Sequence, residues 1–137
     1  WHDCLEGPVA APDSHTVVWA NENVQLLYVK VASMTREPFH THSDLSIMLE
    51  NLQGDNGQGM KYYNESDQVV FEVPPHQANS SAPLDVEFMQ PEWFHSIENL
   101  GNLDSTDNSA TNYGAYRFIF LNTASANTTK CLAVPVI

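Results

Sequence analysis

Short runs of apolar residues, several alternating with polar ones, recur along the chain, and clusters of Asn, Asp, Gly, Ser or Pro close each run. Period-two alternation bounded by such clusters predicts strands with one buried face. Thr16-Val17-Val18-Trp19-Ala20 is β-branched and aromatic, and Asn21-Glu22-Asn23 breaks it as a turn would. Val24 to Val31 forms the next run, with a mostly alternating pattern. Arg36-Glu37-Pro38 then leads into a histidine-bearing strand that continues as Leu45-Ser46-Ile47-Met48-Leu49, with Pro38 at its entrance. Gly54-Asp55-Asn56-Gly57 predicts a hairpin tip, and its partial likeness to a calcium loop lacks the later bidentate Glu.

Further on, Met60 to Tyr63 and Gln68 to Val73 flank the turn Asn64-Glu65-Ser66-Asp67. Leu84 to Met89 alternates cleanly, which predicts one buried and one wetted face. Gly101 to Asn112 is polar and reads as an exposed loop; Tyr116 to Leu121 is a late strand, and Cys131 to Ile137 a further candidate. Many short strands with frequent turns predict an all-β sandwich or barrel. The 137 residues show no repeat and fit a single domain, 1–137.

Candidate chemistry sits in Glu37-Pro38-Phe39-His40-Thr41-His42-Ser43-Asp44. Side chains of a strand alternate, so His40 and His42 share a face, and an unbroken strand would add Asp44 to it. Imidazoles and a carboxylate on one face can hold a divalent transition metal if another ligand arrives from elsewhere. The candidate is His95, in Pro91-Glu92-Trp93-Phe94-His95-Ser96-Ile97-Glu98-Asn99. Ligand type alone does not choose among iron, zinc, copper and manganese. His2, His15 and His76 lie near a terminus or in a loop and read as exposed. Asn99 reads as a turn cap, and Trp93 and Phe94 as either cavity wall or core packing. No Ser lies in a Gly-flanked elbow and no Gly-rich phosphate loop is present.

His40-x-His42 and His95-x-x-x-Asn99 together resemble the two motifs of the cupin superfamily. The stretch Arg36 to His42 with Pro91 to Asn99 resembles, in particular, small single-domain RmlC-like cupin proteins of no settled activity. The likeness spans roughly Val17 to Leu121. It implies a double-stranded β-helix, or jelly-roll barrel, with a metal on His40, His42 and His95. Ser46 or Ile47 stands where the family places its metal-binding Glu, and Met34 where it has a Gly. The Gly ahead of the second-motif His is missing, and Pro91 sits one residue closer to His95 than in the family. The expected site is therefore a three-histidine centre, or one in which Asp44 is the fourth ligand.

Charge narrows the partners. Five Lys+Arg against 17 Asp+Glu give a net charge of -12, which repels phosphate backbones and argues against nucleic acid. No apolar run has the length of a membrane span, so a soluble chain is expected. The chain begins at Trp1 rather than Met, which suggests a mature secreted protein after loss of a signal peptide. In an oxidising compartment Cys4 and Cys131 would join its ends, worth about 4–5 kcal/mol in the chain-entropy account. Asn64, Asn79 and Asn127 head N-glycosylation sequons in turn-like surroundings. Two function classes follow. One is a non-enzymatic module that binds a small ligand or glycan, or self-associates through sheet edges or the apolar tail Leu132 to Ile137. The other is a metal-dependent dioxygenase or isomerase acting on a small polar molecule.

Overall fold

The computed structural model describes residues 3–103 and 112–121. Among them, nine strands form two antiparallel sheets. The strands are β1 (His15–Ala20), β2 (Val24–Val31), β3 (His40–His42), β4 (Ser46–Glu50), β5 (Gly59–Tyr63), β6 (Val69–Val73), β7 (Asp85–Met89), β8 (Glu92–Gly101) and β9 (Tyr113–Phe120). One sheet has the order β1-β2-β9-β4-β7 and the other β3-β8-β5-β6. This is the all-β arrangement expected from the strand pattern and the jelly roll implied by the resemblance, in which sheets face one another around a shared interior.

The middle strand β9 shows why the interior is half oily and half polar. Tyr113, Ala115, Arg117 and Ile119 alternate inward, and all four are buried. Leu27, Val29 and Val31 of β2 pack with Tyr113, Ala115 and Ile119, and Met48, Met60 and Leu121 extend that cluster. Arg117 is the exception, a cation placed at an inward position of a central strand.

Sequence and structure part company at several places. The histidine strand does not run on into Leu45 to Leu49. It ends at His42, and β4 begins at Ser46 in the opposite sheet. The short link between them, in which Leu45 is exposed, carries the chain from one sheet to the other, so parity counted from His42 does not reach Asp44. The alternation of Leu84 to Met89 does not bury a face either. β7 is an outer strand paired only with β4, and Val86 and Phe88 are 60% and 58% exposed. His15 is not exposed; it opens β1 at 3% exposure.

A short helical segment, α1 (Gly7–Ala10), lies ahead of β1 with Pro in its first turn, where a missing N–H costs nothing. It brings Glu6 beside β3, where Glu6 accepts hydrogen bonds from Ser43 N and Thr41 Oγ1. This segment covers the outward side of Thr41, which is why all three residues of β3 are buried. On the opposite loops, Asp55 accepts from the backbone N–H of Gly57, and its other carboxylate oxygen meets His76 Nε2 at 2.7 Å. Gly57 has φ 76°, and a Cβ there would lie 2.3 Å from the carbonyl oxygen of His76, so only glycine fits. The 54–57 segment is thus a loop tie. Cys131, Asn127 and the Leu132 to Ile137 tail lie outside the described residues, with the candidate strand they contain, as does most of the polar 101–112 stretch.

Candidate metal centre

β3 and β8 pair with His40 opposite His95 and His42 opposite Glu92. Two steps along β3 therefore match three along β8, which is a β-bulge with its additional residue on β8. The bulge aims both His95 and Glu92 at the interior. His40, His42 and His95 are 1%, 2% and 2% exposed, and His15 reaches the same space from β1. Ring centroids are 4.9 Å apart for His40 and His42, 4.4 Å for His40 and His95, and 4.4 Å for His15 and His40. The tightest set is His15, His40 and His42, whose ligand atoms lie within 4.8 Å of one another. His95 sits next to this set, 5.3 Å from the His42 ring.

Asp44 is not part of it. The residue does not line the cavity over the histidines, and it acts electrostatically on Glu6 at the outer side. Trp93 and Phe94 do not line that cavity either; Trp93 is 46% exposed and Phe94 stacks on Phe39. Ser46, at the spacing of the family's Glu, accepts a hydrogen bond from Arg117 Nε at 2.9 Å. Asn99 is buried: its amide donates to the Val31 carbonyl and its oxygen accepts from Gly101 N, so it ties strands together.

Two carboxylates that the motif positions did not single out enter the site. Glu37 Oε1 lies 3.6 Å from His40 Nε2, and Glu92 Oε2 lies 3.4 Å from His95 Nε2. Arg117 pairs with Glu92 Oε1, and Tyr62 Oη donates to Glu92 Oε2 at 3.1 Å. Ser14 Oγ donates to Glu37 Oε2 at 2.8 Å. Of these, only Glu92 carried a signal, through the displaced Pro91 that precedes the bulge. Arg117 read as an ordinary strand residue, and His15 lay too far from either motif to be linked.

Protonation follows from burial. Desolvation lowers His15 to about 4, opposed by the Ala11 carbonyl, and lowers His40, His42 and His95 as well. All four imidazoles are therefore neutral near pH 7. Burial raises Glu37 to about 7, partly offset by the Ser14 hydroxyl. Burial works against the ionised form of Glu92 too, but Arg117 and then His95 outweigh it and hold the carboxyl below its ordinary value.

The fit to a metal can be judged from the rings themselves. His40 Nδ1 is 2.9 Å from the Pro38 carbonyl and His95 Nδ1 2.7 Å from that of Trp93. His15 Nδ1 is 3.2 Å from the Ala11 carbonyl. A neutral ring that donates from Nδ1 carries its lone pair on Nε2, the arrangement of metal-ligating histidines. For His40 and His95 that lone pair faces a carboxylate oxygen, a contact that is repulsive unless a proton or cation lies between. His42 Nδ1 is buried with no hydrogen-bond partner. Buried polar atoms are rarely left so, and a cation would satisfy it. The residues fit a divalent transition metal.

No family model and no curated protein matches the chain. Solved structures do. A cupin domain from Bordetella pertussis superposes with a TM-score of 0.52 at 13% identity, covering 79% of this chain and 92% of its own. An RmlC-like cupin with a double-stranded β-helix fold from Methanocaldococcus jannaschii gives 0.43 at 9% identity, over 80% of this chain and 81% of its own. A Thermotoga maritima protein described as a predicted oxalate decarboxylase gives 0.44 at 18% identity, over 79% of each chain. Identities this low speak for fold alone, and the Bordetella domain together with the strand order carries that conclusion: the chain has the cupin fold, a double-stranded β-helix, here with His15, His40, His42 and His95 inside.

Proposed function

We propose that this chain is a metal-dependent cupin-fold protein acting on a small molecule. The observation that carries the reading is the set of buried, neutral imidazoles of His15, His40 and His42, with His95 beside them. A divalent transition metal held there supplies Lewis-acid or redox chemistry at a ligand oxygen. The chain's own residues would do the rest. Backbone carbonyls of Ala11, Pro38 and Trp93 fix three of the rings. Glu92, clamped by Arg117 and Tyr62, orients the floor of the cavity, and Ser14 holds Glu37 beside His40. The test is elemental analysis after purification without added metal and after equilibration with Fe2+, Zn2+, Cu2+ and Mn2+. We expect close to one metal per chain, and a loss of at least tenfold in affinity for His42→Ala. No tight uptake of any of the four rejects the reading.

A second reading rests on different residues. β1 and β6 are outer strands of the two sheets, and Val17, Val18, Trp19, Val69 and Val70 are all substantially exposed. Open edges of this kind invite pairing with another chain, so self-association without chemistry is the alternative function. We also propose export, with Cys4 bonded to Cys131 and with glycans on Asn64, Asn79 and Asn127. Asn79 is exposed, while Asn64 is half-buried and its side-chain oxygen already caps the turn by accepting from Ser66 N and Gln68 N. No helix among the described residues is long and apolar enough to cross a membrane.

A further inference from the structure

The cavity over the histidines has a volume of about 320 Å³ and changes character from floor to mouth. Its floor is made of His40, His42 and His95, almost fully buried. Its walls are Met48, Met60 and Met89, flexible thioethers that adapt to a ligand's shape. At the mouth, Phe71 lines the cavity and is nevertheless 62% exposed. The reason is topological: among the described residues β6 and β7 end different sheets and do not pair, so no ladder joins them there. An exposed Phe facing an apolar cavity is surface that a ligand's body can cover.

Among the lining residues four carboxylates, Glu37, Glu50, Glu87 and Glu92, stand against two cations, Lys61 and Arg117. Arg117 is already engaged by Glu92 and Ser46 and is no free anchor for an anion. A divalent metal on the histidines would add two positive charges, so the lining balances near neutrality and does not choose the charge of the head.

We propose that the ligand of this site is a molecule with an apolar body, its oxygen-bearing head at the histidines and its body on Met48, Met60 and Phe71. The choice of head rests on the metal reading above; the apolar body rests on the walls alone. It differs from the small polar molecule expected from sequence.

Isothermal titration of the Zn2+-equilibrated full chain with acetohydroxamic, hexanohydroxamic and octanohydroxamic acids tests it. These probes share one metal-binding oxygen pair, which coordinates zinc as the hydroxamate, and differ only in the length of the apolar body. Affinity should rise about fourfold per methylene until the chain clears the mouth. Phe71→Ser should weaken the octano compound by about tenfold and leave the aceto compound and Zn2+ uptake unchanged. Zn2+ uptake with equal affinity across the series overturns the proposal and spares the metal reading. A chain-length dependence that persists without any Zn2+ uptake supports the apolar body and sinks the metal. A flat series that becomes length-dependent only after deletion of residues 132–137 assigns the mouth to the protein's own tail and also overturns the proposal.

Discussion

Replacing Arg117 by Met and Glu92 by Gln together should destabilise the protein by clearly less than the sum of the two single replacements. Arg117 is 4% exposed, donates from Nε to Ser46 and pairs with Glu92, whose second oxygen is held by Tyr62. Arg117→Met keeps the volume of the stem but leaves the Glu92 carboxylate among neutral imidazoles with only a phenol for support. Breaking a buried pair this way costs about 3–5 kcal/mol. The Glu92 side chain retains 14% exposure, which places the figure near the lower end, about 3 kcal/mol. With a urea m-value of about 2 kcal/mol/M, the unfolding midpoint should fall by about 1.5 M. Glu92→Gln alone should cost a similar amount, because it strands the guanidinium instead. The double variant should fall short of the sum by about 2 kcal/mol, the coupling expected of groups in direct contact. Urea unfolding of metal-free protein followed by circular dichroism measures all four corners of the cycle. A coupling under about 0.5 kcal/mol would mean the pair is solvated and the polar floor described above is wrong.

Other outcomes follow from the same geometry. In metal-free protein the depressed His15 contributes about 3 kcal/mol of stability that is present above pH 6.5 and lost as the pH falls toward 4. Glu37, raised from 4.5 to about 7, works oppositely: its contribution is present below pH 4.5 and lost as the pH rises through 7. His40, His42 and His95 add to the acid side, so the urea midpoint should drop between pH 7 and pH 5; a flat or rising profile contradicts the burial argument. Denatured, unreduced protein should show no reactive thiol, and one mole or more per chain would exclude the Cys4–Cys131 bond. Gly57→Ala should cost about 1 kcal/mol or more, through φ and the His76 carbonyl, and leave metal uptake intact; an effect on uptake would link that loop to the site. Light scattering should report a mass above the 15.3 kDa chain that falls on deletion of Val134 to Ile137, and an already monomeric full-length protein removes the self-association reading.

Much of the architecture was legible because strands advertise themselves locally. β2 matches the run Val24 to Val31 to the residue, and β9 shows its alternation through Arg117. Illegible features were those that depend on which strands become neighbours. Val86 and Phe88 have the spacing of a buried face, but β7 ends a sheet and among the described residues no element packs over them. His15 looked like a residue near a loose end, yet β1 pairs with β2 in a register that sets His15 opposite Val29, inside the barrel. No local pattern around His15 carries that pairing. The break after His42 was hidden for a related reason: two apolar runs separated by Ser43-Asp44 read equally well as one bent strand or as two strands in facing sheets.

The bulge in β8 connects these corrections to the chemistry. Had β8 been regular, the residue facing His42 would have been Trp93, two positions from His95, because antiparallel partners keep a constant sum of positions. A bulky indole would then confront the imidazole. The additional residue sets Glu92 there and leaves Trp93 half in solvent. Arg117 supplies the countercharge from the opposite sheet, and Ser46 binds its Nε at the place where the family has a carboxylate. A Glu at position 46 would compete with Glu92 for the same guanidinium, so Ser at that position and Glu92 at the bulge are mutually consistent choices. Of the two carboxylates at this site, Glu92 therefore comes from the second motif's strand and Glu37 from just ahead of the first's, while the fourth imidazole comes from β1.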